Sequence, residues 1–368
     1  MGLLHLPEPG ERVVVAMSGG VDSSVAAALL HERGCEVIGI TLSLWEDIDP
    51  DGPDGGCCTP QDILDARRVC RDLGVPHYLL NYREHFQAEV IDPFVAAYRS
   101  GQTPNPCVRC NNHLKFDRLL HRARELDAPW LATGHYARIV HADDGLRLLG
   151  GIDARKDQSY FLYGIRAAAL RNLCFPLGHL SKDTVREEAE RLGVRVSAKP
   201  DSQDVCFIPD GDTAGFVERA GGAGEPGEIV DEDGRVLGRH PGVHGFTVGQ
   251  RKGIGVAAPQ PLYVQRIDAG RGRLVVASAD RLGASEIHAA DWNWLRRPRS
   301  GEEVRVRVRY RGGPAPLESI DDRDDAVTLR LARPVRAVAP GQAVVLYGAE
   351  SEVLGGGTIA SSASVPAP

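Results

Sequence analysis

An apolar run, Arg12–Ala16 (RVVVA), leads almost directly into Ser18-Gly19-Gly20-Val21-Asp22-Ser23-Ser24 and then into alanine- and leucine-rich sequence ending at Gly34. A buried strand, a glycine turn and a helix in that order commit this part of the chain to an α/β arrangement, since a parallel strand needs a crossover helix to reach its neighbour. The alternation continues. Glu36–Leu42 (EVIGITL) reads as a second strand. Thr59-Pro60-Gln61-Asp62 supplies an N-cap, a first-turn proline and early negative charge for a helix that runs to about Leu73 and stops at Gly74. His77–Leu80 is a third strand, and Phe86–Arg99 a helix that Pro93 breaks or kinks. Leu114–Glu125 is a further helix and Trp130–Thr133 a fourth strand. The expected fold is a doubly wound parallel sheet with helices on both faces.

The glycine turn has a chemical reading. Its glycines let backbone N–H groups turn inward, the hydroxyls of Ser18 and Ser23 add donors, and the helix N-terminus favours negative charge, so the turn is an anion cradle. It lacks the Gly-Lys-Ser/Thr ending of a Walker loop. The segment resembles the SGGxDS loop of the ATP pyrophosphatases, enzymes that split ATP into AMP and pyrophosphate and adenylate an acceptor oxygen. That resemblance implies an adenine nucleotide α-hydrolase-like domain. ATP would be bound by Ala16, Met17, Ser18, Gly19, Gly20, Val21, Asp22, Ser23, Leu42 and Gly134, with Asp22 near a magnesium ion.

Eight cysteines punctuate the chain, and with no secretory leader or long apolar run a reducing, cytoplasmic address is expected, where thiols serve chemistry rather than structural disulfides. Thr103-Pro104-Asn105-Pro106-Cys107-Val108-Arg109-Cys110-Asn111 reads as a loop stiffened by two prolines, and Lys199-Pro200-Asp201-Ser202-Gln203-Asp204-Val205-Cys206-Phe207-Ile208 presents a second thiol. Both segments are similar to the two cysteine loops of the tRNA 2-thiouridylases. So are Thr133-Gly134-His135-Tyr136-Ala137-Arg138, Lys156-Asp157-Gln158-Ser159-Tyr160-Phe161-Leu162, Gly249-Gln250-Arg251-Lys252-Gly253-Ile254-Gly255 and Pro340-Gly341-Gln342. The resemblance spans about residues 12 to 360.

It implies that ATP adenylates the C2 oxygen of a wobble uridine in tRNA. Cys206 receives sulfur as a persulfide from a cysteine desulfurase or a sulfur-relay protein. That sulfur reaches C2 by direct attack or as released sulfide. Cys110 acts as nucleophile and closes a transient disulfide with Cys206. Many members of the family carry aspartate where this chain has Cys107, and four readings stand side by side: a bystander thiol near the uridine, a redox CxxC pair with Cys110, half of a zinc site with Cys57 and Cys58, or a [4Fe–4S] cluster held by Cys107, Cys110 and Cys206. Cys35, Cys70 and Cys174 sit in apolar or helical contexts and read as packed core thiols.

The resemblance places tRNA against Asn105, Pro106, Cys107, His135, Lys156, Asp157, Gln158, Arg309, Tyr310 and Gln342. Taken from the residues alone, Asp157 serves equally well as a turn cap, and His135 gains weight from following a strand end where open α/β sheets bind ligands. The formal charge of −7 argues against a protein that coats nucleic acid non-specifically. A local basic face is therefore required, and Val304–Tyr310 (VRVRVRY) offers one: period-two alternation puts Arg305, Arg307 and Arg309 on one side, with Arg296, Arg297, Arg299 and Arg311 nearby. Arg251 and Lys252 add another pair of cations in a glycine frame.

After about Asp210 helical periodicity fades into short alternating runs. The expected organisation is a catalytic domain at 1–212, a small central domain at 213–283, a β-barrel that binds tRNA at 284–361 and a frayed tail at 362–368, with no membrane contact. A rival keeps the adenylation and changes the acceptor, as in amide-forming synthetases; it has no need of Cys110 or Cys206.

Overall fold

The computed structural model describes residues 2–44, 59–194, 205–323 and 326–364. Cys57, Cys58 and the Lys199–Asp204 part of the second cysteine loop lie outside the described residues. The chain divides into two compact units: Met1–Val90 with Cys107–Gly211 and Glu350–Leu354, and Ile91–Pro106 with Asp212–Ala349 and Gly355–Pro368.

The first unit is built on the expected parallel sheet. Strands β1 (Arg12–Ala16), β2 (Glu36–Ser43) and β3 (His77–Asn81) alternate with helices α1 (Val21–Glu32) and α2 (Pro60–Asp72). Thr59 and Asp62 form a reciprocal capping box at the start of α2, with Pro60 in its first turn. α3 (Arg83–Phe86), a π-helical stretch Gln87–Ile91 and α4 (Asp92–Arg99) follow without interruption. Of the break or kink expected at Pro93, no break occurs, and the irregularity is a π-helical widening just upstream. Pro93 has no N–H to donate back to the Glu89 carbonyl, and that carbonyl is taken by Arg109 Nε at 2.6 Å while the helix widens just upstream.

The first cysteine segment also departs from expectation. It is helix rather than loop from Pro106 onward: α5 (Pro106–Arg109), a π-helical stretch Cys110–Leu119 and α6 (Leu120–Glu125) run on as one. Pro106, preset for the first helical position, starts the helix earlier than the apolar periodicity indicates. β4 (Trp130–Ala132), a hairpin of β5 (Ala137–Ala142) and β6 (Gly145–Gly150), β7 (Leu173–Cys174) and α7 (Lys182–Arg191) complete the unit. The sheet order is β3-β2-β1-β4-β7, every pairing parallel. Strand order reverses beside β1, so the crevice beyond the C-terminal ends of β1 and β4 is where such a sheet takes ligands. α1 packs against α7, and their Val25, Ala28, Val185 and Ala189 share one core with Val13, Val15, Cys35 and Cys174.

In the second unit helical structure persists past Asp210, against expectation. α8 (Thr213–Gly221) is capped by the Asp212 carboxylate on Gly215 N, and its Phe216 packs edge-on to Phe94 of α4. Two glycines had masked its periodicity. A four-stranded sheet of β8 (Gly227–Val230), β9 (Val236–His240), β10 (Tyr263–Asp268) and β11 (Arg273–Ala277) has order β10-β11-β8-β9 and encloses Ile229, Phe246, Val264 and Leu274.

β12 (Gly283–Trp294), β13 (Arg305–Arg307), β14 (Ala315–Arg323), β15 (Ala326–Arg336), β16 (Ala343–Tyr347) and β17 (Val353–Ser364) close into a barrel in the order β12-β15-β14-β13-β16-β17. β17 runs three residues past the expected barrel end: Ser362, Ala363 and Ser364 pair with Ile287, Glu286 and Ala284. Among the described residues no helix is long and apolar enough to cross a membrane.

Candidate active site

The cradle lies where the sheet topology puts it. Ala16 ends β1, and Met17 donates its N–H to the Ile40 carbonyl at 2.8 Å, fixing the loop to β2, which also carries buried Leu42. Gly19 has φ +73°, and a Cβ there would stand 2.2 Å from the Asp62 carbonyl oxygen, so only glycine fits between the loop and the first turn of α2. The two hydroxyls expected to face an anion face each other: Ser18 Oγ and Ser23 Oγ are 3.2 Å apart, and Ser23 Oγ also accepts from Ser18 N at 3.1 Å. They set the loop's shape. Gly134, beyond β4, comes so close to the α1 N-terminus that its Cβ would be 2.8 Å from both Asp22 C and Ser23 N.

Two residues that no motif assignment had singled out complete this corner. Asp22 Oδ1 accepts from the Tyr136 hydroxyl at 2.8 Å and from Lys182 Nζ at 2.7 Å. Tyr136 and Lys182 are buried, whereas the Asp22 side chain keeps about a third of its surface. Tyr136 lies within Thr133–Arg138, with no role of its own from sequence. Lys182, in Ser181-Lys182-Asp183, reads as an ordinary charged helix start. One signal was available, because a lysine in the first helical turn opposes the helix dipole.

A chain of hydrogen bonds ties this corner to the thiol helix. The backbone N–H of Tyr136 donates to Gln158 Oε1, and that of Gln158 to the Tyr136 carbonyl, each at 2.9 Å. Three residues on, the Phe161 carbonyl accepts from Asn111 Nδ2 at 3.1 Å, and Asn111 Oδ1 accepts from Lys115 Nζ. Asn111 is buried and directly follows Cys110. Gly164 passes so near Asn112 that a Cβ would fall 2.0 Å from Asn112 Nδ2. On the helix's other flank the Glu89 carboxylate draws in Arg109, His113 and Arg118 at 3.8–3.9 Å. The backbone around Cys110 is therefore held on two sides.

Cys107 is exposed, and Cys110 and Cys206 are half-buried. Phe207, next to Cys206, packs edge-on against Phe86 of α3 at 5.7 Å, and α3 contacts the Cys110 helix. Among the described residues no group of three or more His, Cys, Asp or Glu side chains is placed to hold a metal ion. Cys107, Cys110 and Cys206 are all described, and they do not compose such a group. Cys35, Cys70 and Cys174 are buried; burial raises all three thiols, Cys70 to about 11, and keeps them protonated.

Of the residues expected to meet tRNA, His135 sits between the rings of Phe116 and Phe175, 5.9 Å from each, with Nδ1 2.6 Å from Thr133 Oγ1. Desolvation, and then the charge of Lys115, hold its pKa well below the ordinary value. The imidazole is neutral at pH 7 and fits a base or sugar rather than a phosphate. Asp157 is buried and caps the Gly151 and Ser159 amides. Gln158 is the Tyr136 partner already described, and Lys156 beside them is half-exposed.

In the second unit Asn105 is half-buried and Pro106 buried. Gln342 Nε2 donates to the Thr103 carbonyl at 2.8 Å, and Thr103 N donates to the Pro340 carbonyl at 2.8 Å. Gly341 at φ +88° leaves no room for a Cβ against Gln102 and Thr103. The turn at 340–342 thus grips the strand of chain that leads into Asn105 and Pro106.

The basic face is smaller than the sequence implies. Arg305 and Arg307 belong to β13, but Arg309 and half-buried Tyr310 fall in the turn that Gly312 and Gly313 impose, although burial keeps alternating through Val308. Arg296 donates two hydrogen bonds to the Glu302 carboxylate, Arg297 pairs with Asp322 and lies over the Trp294 ring, and Arg305 pairs with Glu303. Arg309 and Arg311 are exposed.

A parallel sheet with a glycine cradle at its switch point is the nucleotide-binding arrangement of the HUP class of domains. The family model described as the tRNA methyl transferase HUP domain matches residues 11–210, that of the tRNA methyl transferase PRC-barrel domain 214–278, and that of the aminomethyltransferase β-barrel domain 284–359. Among curated proteins, the chain is 49% identical over 356 residues to the tRNA-specific 2-thiouridylase MnmA of Geobacter metallireducens, covering 95% of this chain and 96% of that one. It is 49% identical over 360 residues to the protein of the same name from Maricaulis maris (96% and 89%), and 46% over 365 residues to that of Heliobacterium modesticaldum (97% and 94%). The chain belongs to the family of the tRNA-specific 2-thiouridylases.

Proposed function

We propose that the protein catalyses ATP-dependent 2-thiolation of the wobble uridine of tRNA, releasing AMP and pyrophosphate. The observation that carries this reading is the hydrogen-bonded path from Asp22 through Tyr136, Gln158 and the Phe161 carbonyl to Asn111, the neighbour of Cys110. It fixes an adenylation corner and a thiol in one frame. An amide-forming synthetase of the same class needs the first and has no use for the second.

In the first step the uridine C2 oxygen bonds to the α-phosphorus of ATP and the bond to the β-phosphate oxygen breaks. The cradle of Ser18–Ser23 receives the pyrophosphate at the α1 N-terminus. Asp22 is the carboxylate suited to hold a magnesium ion, which would supply charge neutralisation for the phosphates. In the second step the terminal sulfur of a Cys206 persulfide attacks C2 and AMP leaves with the former C2 oxygen. The Cys110 thiolate then attacks the Cys206 sulfur, releasing 2-thiouridine and closing a Cys110–Cys206 disulfide that a thiol reductant reopens. A uridine stacked in the anticodon is out of reach, so the base turns outward, and Asn105, Pro106 and Cys107 are the residues suited to receive it. Neutral His135 with Lys156, and Arg309 and Tyr310 on the barrel, complete the tRNA contacts.

The division of labour follows the three parts expected from sequence: 1–212 performs the chemistry, and 213–283 and 284–361 hold the tRNA. The sulfur donor is a cysteine desulfurase or a relay protein, in the cytoplasm. Cys110→Ser and Cys206→Ser each abolish thiolation while ATP binding survives; thiolation at the native rate by either variant would overturn that residue's role.

A further inference from the structure

Cys107 and Cys110 stand three residues apart at the start of one continuous helix, with Arg109 between them. In helix geometry that spacing brings two Cα atoms to about 5 Å, inside the range a disulfide spans. The surroundings of the two thiols differ. Cys107 is exposed, in the first turn. Cys110 is half-buried, and the residues on both sides of it are tied down: Arg109 Nε donates to the Glu89 carbonyl at 2.6 Å, and Asn111 Nδ2 to the Phe161 carbonyl at 3.1 Å. Cys206 is half-buried as well, and the Phe207 and Ile208 that follow it are buried. All three thiols belong to the first unit.

These differences bear on how the enzyme resets. The proposed reaction leaves a disulfide between Cys110 and Cys206, and no further sulfur can be loaded until it opens. Opening requires a thiolate to attack one sulfur of the bond, and access limits that exchange. Cys110 is kept from turning outward by the hold on Arg109 and Asn111, and Cys206 is anchored through Phe207, which packs on Phe86 of α3 at 5.7 Å. A protein reductant therefore meets a half-buried bond. Cys107 comes to it from within the same helix, in the first turn, where a helix deforms most easily. As part of the chain it attacks without the entropy cost of bringing two molecules together.

We propose that Cys107 is the resolving thiol of this site. Its thiolate, having given its proton to water, attacks Cys110 Sγ. The Cys107–Cys110 bond forms, the Cys110–Cys206 bond breaks, and the Cys206 thiolate leaves with the electron pair, ready for the next sulfur. A protein dithiol reductant then attacks the exposed sulfur of Cys107, supplies two electrons and two protons to restore both thiols, and departs as a disulfide itself. The inference rests on the thiolating reading and adds a third thiol to it: loading at Cys206, release at Cys110, reset at Cys107.

The test is a single turnover of the full-length chain, loaded with sulfur by a cysteine desulfurase, freed of cysteine, and then given tRNA, ATP and magnesium without reductant. Acid quenching, alkylation and peptide mass mapping follow. Trypsin separates the three thiols, because cleavage after Arg99, Arg109, Lys115, Arg195 and Arg219 puts Cys107 in 100–109, Cys110 in 110–115 and Cys206 in 196–219. The first two peptides should be linked and Cys206 alkylated. In Cys107→Ser the link should instead join 110–115 to 196–219. With a protein dithiol as reductant, the ratio of steady-state to first-turnover rate in that variant should fall by about 10-fold or more, since an exchange within the chain has become one between molecules. Excess dithiothreitol, small enough to reach a half-buried bond, should restore the ratio; a purely structural role would lower both rates together and leave it unchanged. A Cys110–Cys206 link with Cys107 alkylated in the unsubstituted chain, or an unchanged ratio in Cys107→Ser, would overturn the proposal. Thiolation that leaves no cysteine disulfide, or no thiolation at all, would instead bring down the reading on which the inference rests.

Discussion

Replacing Gly134 by alanine should cost the enzyme far more activity than stability. The added Cβ would lie 2.8 Å from Asp22 C and from Ser23 N, and 3.1 Å from Asp22 Cβ. The two nearest atoms are main chain in the first turn of α1, so no side chain can swing aside. Reaching the 3.4 Å of ordinary contact needs a retreat of about 0.6 Å. α1 cannot retreat as a body, because Val25, Ala26, Ala27, Ala28 and Leu30 on it are all buried in the sheet core. The strain is therefore taken up where the helix begins, at Asp22 and the cradle. Overpacking of this size costs roughly 1–3 kcal/mol, which lowers the melting temperature by some degrees without unfolding the chain. A displacement of about 0.6 Å in a phosphate-positioning loop costs roughly 10- to 100-fold in turnover, 100-fold being the scale for a full ångström. Thermal denaturation and tRNA-dependent pyrophosphate release, measured on the same preparation, separate the two effects. Native turnover per folded molecule in Gly134→Ala would refute the argument that the glycine shapes the nucleotide site.

Other expectations follow from single contacts. Gln342→Ala removes the side-chain tie to the Thr103 carbonyl; thiolation should slow in kcat with the KM for tRNA held, and a rise in KM alone would return Gln342 to a tRNA contact. Glu302 is held down to about 2 from its ordinary 4.5, first by the hydrogen bonds from Arg296. Its folded pKa lies below the unfolded one, so the stability it contributes is complete above pH 4.5 and is lost as pH falls toward 2. Arg296→Met should flatten that acid limb of a melting-temperature profile, and an unchanged limb would assign it elsewhere. The depressed pKa of His135 has the related consequence that the unfolded imidazole takes a proton first, so stability falls as pH drops below 6.5. Its ring resonances should show no titration near 6.5, whereas an ordinary histidine curve would mean that Phe116 and Phe175 do not desolvate it.

The parallel sheet, the cradle and the barrel were legible because each rests on local pattern: an apolar strand meeting a glycine turn, a proline after a capping threonine, arginines alternating with valines. What escaped notice depends on tertiary partners. At Pro93 sequence leaves break and kink open, and the helix continues because Arg109 takes up the orphaned Glu89 carbonyl, a partner that no local pattern shows. Cys107 and Cys110 looked like loop residues because two prolines precede them, though the second proline begins a helix. α8 was hidden by glycines and is held by Phe94, more than a hundred residues earlier in the chain. The arginine face looked fully available because the carboxylates that pair with it, Glu302, Glu303 and Asp322, are interspersed along the same strands and turns. Lys182 could not be assigned from sequence because its meaning comes from Asp22, on another helix far away in the chain.

The central claim is that this chain makes 2-thiouridine, and it is tested most directly by nucleoside mass spectrometry. The purified protein would be incubated anaerobically with bulk tRNA, ATP, magnesium and a cysteine-desulfurase sulfur source, and the digested tRNA examined for new thiolated nucleoside alongside AMP and pyrophosphate. The account predicts 2-thiolated uridine accumulating in step with AMP. ATP consumed with a competent sulfur source present and no thiolated nucleoside formed would contradict it and favour an acceptor other than tRNA.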